Sequence, residues 1–282
     1  MRISQSYPLW ISYSQIRDFL NCPRSYFLKH VYKDPRSGKK INIITPPLAL
    51  GNTVHDVLEE ISTLGANKRF EKSLLDRYES SWSRVTGELG GFRNTEEEQT
   101  YKKRGETMIR QVIISPGPLL NKAVKLRSPD ELPPRYLFST EENILLCGKV
   151  DWLEYSSEDD SIHIIDFKTG IKDEDSNSLQ LAIYLLLVKN CQKRSVKKIS
   201  YWYLEREEKP REMILPDLEE LYEEILQIAL RIKKLKQNGK YICSKNGCYA
   251  CEPLEVVVSG KAEYIKTSGY QDIYIIPDGI YS

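Results

Sequence analysis

Histidine and methionine are scarce in this 282-residue sequence, with three of each, and long apolar runs are absent. The longest uninterrupted apolar stretch, residues 181–188, is far too short to span a membrane as a helix. The first ten residues lack the apolar core and the small-residue cleavage site of a signal peptide. We therefore expect a cytoplasmic protein that is neither exported nor inserted into a membrane.

The sequence also lacks internal repeats, low-complexity tracts and the G-x-x-x-x-G-K-[ST] pattern of a phosphate-binding loop. The first two absences exclude repeat architectures and compositionally biased segments. The third excludes a recognisable ATP-driven motor of the Walker type, so any helicase would have to be a separate partner.

Neither sign of charge is in excess, since 41 lysines and arginines face 40 aspartates and glutamates for a net charge of +1. The whole molecule therefore gives no reason to expect a polyanion as partner, and such a partner must be argued from local basic patches. Charged residues make up 29% and hydrophobic residues 40% of the chain, which is typical of a soluble globular protein. At this length we expect one large domain or two small ones.

The six cysteines are unevenly placed. Cys243, Cys248 and Cys251 are close together in the sequence, whereas Cys147 and Cys191 stand alone. In a cytoplasmic chain such thiols are more often metal ligands or buried side chains than disulfides. The C-x-x-C spacing of Cys248 and Cys251 is typical of metal ligands, and Cys243 is near enough to join them. We interpret Cys147 and Cys191 as buried thiols.

The first third of the sequence has the hydrophobic periodicity of helices. The predicted helices cover residues 12–20, with a cap at Ser12 or Ser14, and residues 23–32, 48–61, 70–85 and 96–114.

The remainder of the sequence alternates between strands and helices. Residues 143–155 and 161–170 are rich in β-branched and aromatic residues and are joined by a polar turn, which predicts a hairpin. The apolar segment 178–190 predicts a buried helix, and residues 196–207 predict a strand parallel to the one before that helix. A long helix over residues 217–239 and a strand-like tail follow. The predicted fold class is therefore α/β, with helices flanking a mixed central sheet.

The predicted hairpin carries side chains that could bind a metal ion or take part in catalysis. Asp166 and Lys168 are two residues apart on one strand, so their side chains leave the same face of the sheet. Asp151, in the middle of the other strand, can approach Asp166 across the pair. Two carboxylates and an ammonium would be costly in a core unless a hard divalent cation such as Mg²⁺ bridged the carboxylates. The backbone carbonyl of Phe167 could add a ligand.

Lys168 could orient or activate a metal-bound water, or stabilise the charge of a phosphorane-like transition state. The alternative is that Asp151 is a surface residue of an edge strand beside a solvated pair of Asp166 and Lys168, because D-x-K is common by chance. Apolar neighbours such as Trp152 and Ile165 favour a buried sheet, in which unpaired charge needs a purpose.

Five segments follow one another in a specific order. They are the C-P segment within residues 12–28, G-N-T-V-H at Gly51–His55, G-K-V-D at Gly148–Asp151, I-I-D-F-K-T-G at Ile164–Gly170 and L-Q-L-A-I-Y at Leu179–Tyr184. Together they resemble the successive motifs of the PD-(D/E)XK nucleases, in the RecB-like branch. Each motif is weak alone, but five in the correct order are specific.

The resemblance implies a restriction-endonuclease-like core, in which a mixed central sheet is flanked by helices, with a helical N-terminal region. It further implies a single nuclease domain over residues 1–260, with a helical insertion at about 65–130 and a cysteine loop at 240–254. Residues 261–282 would form a C-terminal tail.

The same resemblance implies a role for each matching residue. Asp151 and Asp166 would be the metal-binding carboxylates, His55 an additional metal ligand, and Lys168 the catalytic lysine. Without the family, His55 would be a partly buried helical histidine beside an apolar stripe.

Gln180 and Tyr184 are one helical turn apart, and by resemblance they would line the site. The alternatives are a capping or buried amide contact for Gln180 and an ordinary core position for Tyr184.

The cysteines match a further feature of this branch. AddB-type subunits and CRISPR-associated adaptation nucleases hold a [4Fe–4S] cluster, and by resemblance Cys22, Cys243, Cys248 and Cys251 would bind one and hold the two ends of the chain together. In those relatives a C-x-x-C usually precedes the last cysteine, whereas here Cys243 comes first. A Zn²⁺ clasp and a remnant without metal are the alternatives.

The sequence therefore predicts a metal-dependent DNA nuclease that hydrolyses phosphodiester bonds with Mg²⁺ or Mn²⁺, in DNA repair, recombination or processing. Basic patches near the motifs fit phosphate contacts with single-stranded DNA or a duplex end. The patches are Arg24, Lys29, Lys33, Arg36, Lys39 and Lys40, then Lys193, Arg194, Lys197 and Lys198, and then residues 231–240.

Two other functions stay open. One is a catalytically silent nucleic-acid-binding or scaffold subunit with a cysteine metal clasp, although such a module need not retain all four of His55, Asp151, Asp166 and Lys168. The other is a zinc-binding protein with a coincidental D-x-K, which leaves His55 and Gln180 unexplained.

Overall fold

Ten strands and eight α-helices form the described part of the protein, a computed structural model that covers residues 7–126, 128, 130 and 132–279. The strands are β1 (Leu9–Ile11), β2 (Lys40–Ile43), β3 (Arg135–Ser139), β4 (Ile144–Cys147), β5 (Trp152–Ser156), β6 (Ser161–Lys168), β7 (Ser195–Tyr203), β8 (Arg211–Met213), β9 (Glu263–Ser268) and β10 (Gln271–Ile275). The α-helices are α1 (Tyr13–Asn21), α2 (Pro23–Tyr26), α3 (Pro46–Ser62), α4 (Leu74–Trp82), α5 (Thr95–Ile114), α6 (Gln180–Cys191), α7 (Leu218–Asn238) and α8 (Glu252–Val258). A π-helical turn, Phe27–Val31, continues α2, and 3-10 turns lie at Ala66–Lys68, Gly87–Gly90 and Gly117–Leu120.

Local side chains set the ends of several helices. The Ser12 hydroxyl accepts a backbone N–H and caps α1, and the Asp217 carboxylate accepts the N–H groups of Glu219 and Glu220 at the start of α7. Gly239 has a left-handed backbone conformation and ends α7. These helix boundaries agree with the prediction from the sequence.

The central sheet has the strand order β5-β6-β7-β8. The strands β5 and β6 form the predicted antiparallel hairpin, and α6 connects β6 to the parallel strand β7. On one face, α6 and α7 share a core with Ile162 and Ile164, and on the other face α3, α4 and α5 share a core with Trp152, Ile165 and Phe167. The predicted mixed α/β fold with helices on both faces of a sheet is therefore confirmed.

The strand predicted over residues 143–155 is wrong in one respect, because it is two strands in different sheets. The strand β4 pairs with β1 and β3 in a second sheet, whereas β5 begins at Trp152 in the central sheet. Asp151 therefore precedes the strand and does not lie in its middle. Its Oδ2 accepts the Phe167 N–H at 3.0 Å, so the carboxylate takes the place of a strand partner at this end of β6.

The last described strands pair with the first half of the chain. The strands β9 and β10 form a hairpin, and β10 lies parallel to β2. Leu28, Ile41, Leu254 and Tyr274 belong to the small core between them. Residues on both sides of position 260 thus contribute to one packed unit.

The division into a domain over 1–260 and a tail over 261–282 stays a prediction. The described elements between positions 66 and 120 are all helical, in the region of the expected insertion. Residues 1–6 of the domain, 127 and 129 of the insertion, and 280–282 of the tail lie outside the described residues.

Gly105 marks a close contact between two helices of this region. A Cβ atom at this position of α5 would lie 2.0 Å from the Tyr78 hydroxyl oxygen and 2.8 Å from Leu50 Cδ1. The Tyr78 hydroxyl donates a hydrogen bond to the Lys102 carbonyl at 3.0 Å, which limits its freedom to move away.

We expect Gly105→Ala to lower the free energy of unfolding by about 1–3 kcal/mol, because overpacking outweighs the gain in helix propensity. Urea denaturation measures the change. Gly170→Ala is the matched control, because a Cβ there meets nothing within 4 Å. A G105A protein as stable as the wild type would contradict the contact.

A chain of hydrogen-bonding side chains crosses the central sheet. Glu154 accepts a hydrogen bond from Asn121 Nδ2 at 2.6 Å and lies 2.8 Å from His163 Nδ1, whose Nε2 is 2.7 Å from Ser200 Oγ. Burial acts to raise the pKa of Glu154, but the hydrogen bonds with His163 and Asn121 outweigh it, and the pKa is lowered. The resulting stabilisation is fully present above the ordinary glutamate pKa and is lost as the pH falls through the lower folded-state pKa.

We expect the stability of Glu154→Gln to depend less on pH than that of the wild type, between about pH 5 and pH 3. The glutamine takes up no proton in this range, so it loses this part of the acid sensitivity. Urea denaturation at a series of pH values measures the slope, with Glu158→Gln in the exposed hairpin turn as control. Equal slopes for wild type and E154Q would refute the role of this carboxylate.

Candidate active site

Asp166 and Lys168 lie at the carboxyl end of β6. Asp166 is 2% exposed, and Lys168 Nζ lies 3.0 Å from its Oδ2. The two side chains therefore leave the same face of the sheet, as their spacing predicts. A carboxylate buried to this degree needs a counter-charge, and the lysine ammonium supplies it.

Gln180, the first residue of α6, contacts both of these groups. Its Oε1 accepts a hydrogen bond from Lys168 Nζ at 2.5 Å, and its Nε2 donates to Asp166 Oδ1 at 2.7 Å. The same Nε2 lies 3.2 Å from the hydroxyl of Tyr184, one turn further along α6. The half-buried amide of Gln180 thus fixes the positions of the lysine and the carboxylate together.

Asp151 approaches the end of β6 from the segment before β5. Because its Oδ2 accepts the Phe167 N–H, the backbone of Phe167 faces Asp151 on this side. In a strand the N–H and the C=O of one residue point in the same direction, so the Phe167 carbonyl also faces Asp151. The structure thus brings a carboxylate and a backbone carbonyl to the same edge of the sheet.

His55 faces Asp151 from α3. Its Nδ1 lies 3.3 Å from Asp151 Oδ1, and its ring meets the Phe167 ring edge-on with 6.2 Å between the ring centres. Gly51, one turn earlier, allows α3 to approach β6, since a Cβ there would lie 3.3 Å from Thr169 Oγ1. Gly51 thus permits the close approach of α3 to β6, and this approach brings His55 to Asp151.

The charges in this group influence one another strongly. Burial, reinforced by the charge of Asp151, raises the pKa of Asp166 to about 7 although Lys168 and His55 oppose the shift. Burial acts to lower the pKa of Lys168, but the charges of Asp166 and Glu174 outweigh it, and the pKa is raised. For His55 the contact with Asp151 likewise outweighs burial and raises the pKa. The site therefore favours a protonated lysine and would accept further positive charge beside its carboxylates.

Glu174, in the loop between β6 and α6, is a member of the site that no sequence motif indicated. Its Oε2 lies 2.9 Å from Lys168 Nζ, and its Oε1 accepts hydrogen bonds from Tyr13 at 3.1 Å and Ser178 at 2.9 Å. Its N–H donates to the Tyr203 hydroxyl at 2.9 Å. Because Glu174 lies in an irregular loop, no helix or strand period could have identified it.

A cleft of about 230 Å³ opens beside Asp151 and His55, and a groove of about 360 Å³ continues it. Lys125 and Lys149 line both spaces. The Lys149 ammonium pairs with Glu59, and its side chain is 65% exposed. Two cations therefore line the cleft and the groove together with Asp151, and neither belongs to the basic patches predicted from the sequence.

Seven of the fifteen cations in those patches have acidic partners in the structure. The pairs are Arg24–Glu255, Lys29–Asp18, Arg36–Asp34, Lys39–Asp272, Arg194–Asp160, Lys198–Glu212 and Lys233–Glu142. The charge of these seven is balanced locally, which weakens the case for them as phosphate contacts.

The donor atoms in and beside the cleft are of the types that a hard divalent cation accepts. Asp166 Oδ2 is buried, and the described residues give it the ion pair with Lys168 but no hydrogen bond. Carboxylate and carbonyl oxygens from Asp166, Asp151 and Phe167, with an imidazole nitrogen from His55, are ligands that Mg²⁺ and Mn²⁺ accept. These four residues could therefore hold such an ion, with water molecules completing its shell.

Cys22, Cys243, Cys248 and Cys251 come together at a second location. All four Sγ atoms lie within 4.8 Å of one another, and no other set of three or more His, Cys, Asp or Glu in the described ranges is as close. Cys22 precedes α2 and Cys251 precedes α8, and these helices are joined by an ion pair of Arg24 with Glu255. The four predicted ligands thus meet and could bind a metal ion or cluster.

The two remaining cysteines lie elsewhere. Cys147 is buried and donates to the Ile11 carbonyl at 3.4 Å, as expected for a buried thiol. The prediction is less accurate for Cys191, which is only partly buried because it lies at the last position of α6.

A family model described as the PD-(D/E)XK nuclease superfamily matches residues 10–255 of the chain. The matched region contains β6, the residues around Asp166, and all four clustered cysteines. No curated protein sequence gives a significant match. Among the described helices, none is both long and apolar enough to cross a membrane.

Proposed function

Because the chain belongs to the PD-(D/E)XK nuclease superfamily, we propose that it is a metal-dependent nuclease that hydrolyses phosphodiester bonds in DNA. The observation that carries this proposal is that Asp151, which lines the cleft with His55, binds the backbone of β6 beside the buried pair of Asp166 and Lys168. A buried carboxylate oxygen without a hydrogen bond, beside an ammonium, is a costly arrangement for a core and a useful one for a metal-dependent reaction.

In the proposed site, His55, Asp151, Asp166 and the Phe167 carbonyl would hold Mg²⁺ or Mn²⁺. When bound, such a cation supplies a Lewis acid at the scissile phosphate and makes a coordinated water more acidic. The chain itself places Asp166 and the Phe167 carbonyl at the end of β6, holds Asp151 beside them through the Phe167 N–H, and fixes the Asp166 carboxylate through Gln180.

Lys168 acts in this proposal as a positive charge and not as a base. Its Nζ is close to three acceptors, Asp166 Oδ2 at 3.0 Å, Glu174 Oε2 at 2.9 Å and Gln180 Oε1 at 2.5 Å. An ammonium beside two carboxylates and an amide oxygen keeps its protons, so its charge stabilises negative charge that develops on a phosphoryl oxygen.

Glu174 and Gln180 serve as positioning residues, since both hold Lys168 without lining the cleft. Tyr13 from α1 supports Glu174, and Tyr184 stands beside Gln180 on α6. Because α1 and α6 lie on different parts of the chain, the lysine is held from two directions and has little freedom to rotate.

The substrate in this proposal is single-stranded DNA or a duplex end. Lys125 and Lys149 line the groove that leads from Asp151, where they could contact successive phosphates. We assign the protein to the RecB-like branch, and to DNA repair, recombination or processing, on the strength of its five ordered motifs. A helicase or recombination partner would supply any ATP-driven strand separation, because these 282 residues contain no phosphate-binding loop of the Walker type.

We expect wild-type protein with Mg²⁺ or Mn²⁺ to cleave labelled DNA, and Asp166→Asn and Lys168→Met to cleave at least about 100-fold more slowly. Both replacements keep the approximate side-chain size while removing the charge. Rates are measured on single-stranded, blunt and overhanging duplex DNA, with a chelator as the metal-free control.

Asp160→Asn is the matched control, because Asp160 lies in the hairpin turn at the other end of β6. Cleavage that survives both D166N and K168M would reject the proposed site. A wild-type protein that binds these DNAs but cleaves none of them would support the catalytically silent alternative.

We expect Glu174→Ala to lower kcat about tenfold with little change in KM, because Lys168 loses one of its supports while the groove is unaltered. Glu174→Gln should retain most of the activity, since the amide oxygen can still accept the lysine proton. Asp175→Ala in the same loop is the control. Equal losses in E174A and E174Q, or an effect confined to KM, would contradict a positioning role.

A further inference from the structure

The four clustered cysteine sulfurs have the spacing of ligands to a single metal ion. All their Sγ–Sγ distances are at most 4.8 Å, and that between Cys248 and Cys251 is 3.7 Å. Four thiolates at the Zn–S bond length of about 2.3 Å form a tetrahedron with edges of about 3.8 Å. No edge therefore has to shorten by more than about 1 Å for one ion to bind all four sulfurs.

The [4Fe–4S] cluster that the family resemblance implies does not fit this spacing. In that cluster each thiolate binds a different iron, so each sulfur–sulfur edge exceeds the single-ion edge by the separation of two irons. The edges then reach on the order of 6 Å, and every edge observed here would have to lengthen by more than about 1 Å.

We propose that Cys22, Cys243, Cys248 and Cys251 bind one Zn²⁺ as thiolates in a closed tetrahedral site. Four protein ligands leave no open position for water or substrate, so the ion has a structural role. Zinc is also favoured over ferrous iron at a site of given ligands by the general order of divalent-metal affinities. This proposal does not depend on the proposed nuclease activity.

The backbone around the cysteines is arranged to support thiolates. Between Cys243 and Cys248 the chain turns through Asn246 and Gly247, whose φ angles are 53° and 133°. This turn directs the N–H groups of Lys245 and Gly247 to the Cys243 sulfur. Hydrogen bonds from backbone N–H groups offset part of the negative charge that four thiolates bring to one ion.

Cys22 receives similar support from the other end of the chain. The N–H groups of Arg24 and Ser25, in the first turn of α2, point to its sulfur. Arg24 also donates to Glu255 of α8 at 2.5 and 3.1 Å. The proposed ion would therefore join α2 and α8 across a junction that an ion pair already bridges.

The decisive experiment measures metal content in the full chain, purified anaerobically from cells supplied with both iron and zinc. We expect one zinc per chain, no inorganic sulfide, and no broad absorbance near about 400 nm. In protein stripped of metal under reducing conditions, one equivalent of Co²⁺ should produce the visible bands of tetrahedral cobalt thiolate. One equivalent of Zn²⁺ should then remove those bands.

Variants assign the ligands. We expect Cys248→Ser to reduce the zinc content at least tenfold, whereas the matched control Cys191→Ser keeps the wild-type content because Cys191 lies outside the cluster. If C248S does not fold, the cobalt titration of the wild-type protein still tests the site.

Several results would overturn the proposal. Four irons with sulfide and absorbance near about 400 nm would establish the iron–sulfur cluster instead. A single iron, a folded protein that binds no metal, or zinc that C248S retains at the wild-type level would each reject a zinc site at these cysteines. Loss of DNA cleavage alone decides nothing here, so failure of the zinc site and failure of the nuclease proposal are distinguishable.

Discussion

Burial of the Asp166 carboxylate at the end of β6 is the constraint on which the surrounding structure depends. An ionised group that is only 2% exposed costs several kcal/mol unless charge and hydrogen bonds compensate it. Lys168 supplies the charge from the same strand, and Gln180 supplies the hydrogen bond from α6. The chain must therefore fold back soon after the end of β6, so that the start of α6 packs over that end. The connecting loop also carries Glu174.

Successive side chains of β6 point to opposite faces of the central sheet, so the position of Asp166 depends on the packing of both faces. Asp166 and Lys168 face the side of α6, whereas Ile165 and Phe167 face the aromatic core that includes Trp202 under α3–α5. A slip of one residue in strand register would place both charges in that aromatic core. Packing of the apolar face therefore fixes the register, which keeps Asp166 and Lys168 on the other face. Packing on the opposite face of the sheet thus determines where the carboxylate lies.

The sequence predicted those parts of the site that depend on short, regular spacing. The two-residue period of a strand placed Asp166 and Lys168 on one face, whereas Gln180 and Tyr184 were indicated by the family resemblance and by their separation of one helical turn. The division of the predicted strand into β4 and β5 before Trp152 could not be predicted. It results from the pairing of β4 with β1 and β3 in another sheet, which local propensity does not encode. The role of Glu174 could not be predicted for a related reason, since its contacts come from three separate segments of the chain. For the cysteines the spacing along the chain suggested metal ligands, but only their distances in space distinguish one ion from a cluster.

The parallel pairing of β2 with β10 bears on the order in which the protein is assembled during synthesis. Lys40 and Gln271 are opposite one another although 231 positions separate them, and β10 is the partner of β2 among the described strands. At a translation rate of about 5–20 residues per second, β2 waits roughly ten to fifty seconds for that partner. Until residues 243–251 are made, the Cys22 thiol has none of its three neighbours, and until β10 is made, Ile41 has no partner strand. The small sheet and the cysteine cluster therefore cannot close until most of these 282 residues have been synthesised, which leaves the edge of β2 and the Cys22 thiol open to mispairing or oxidation until then.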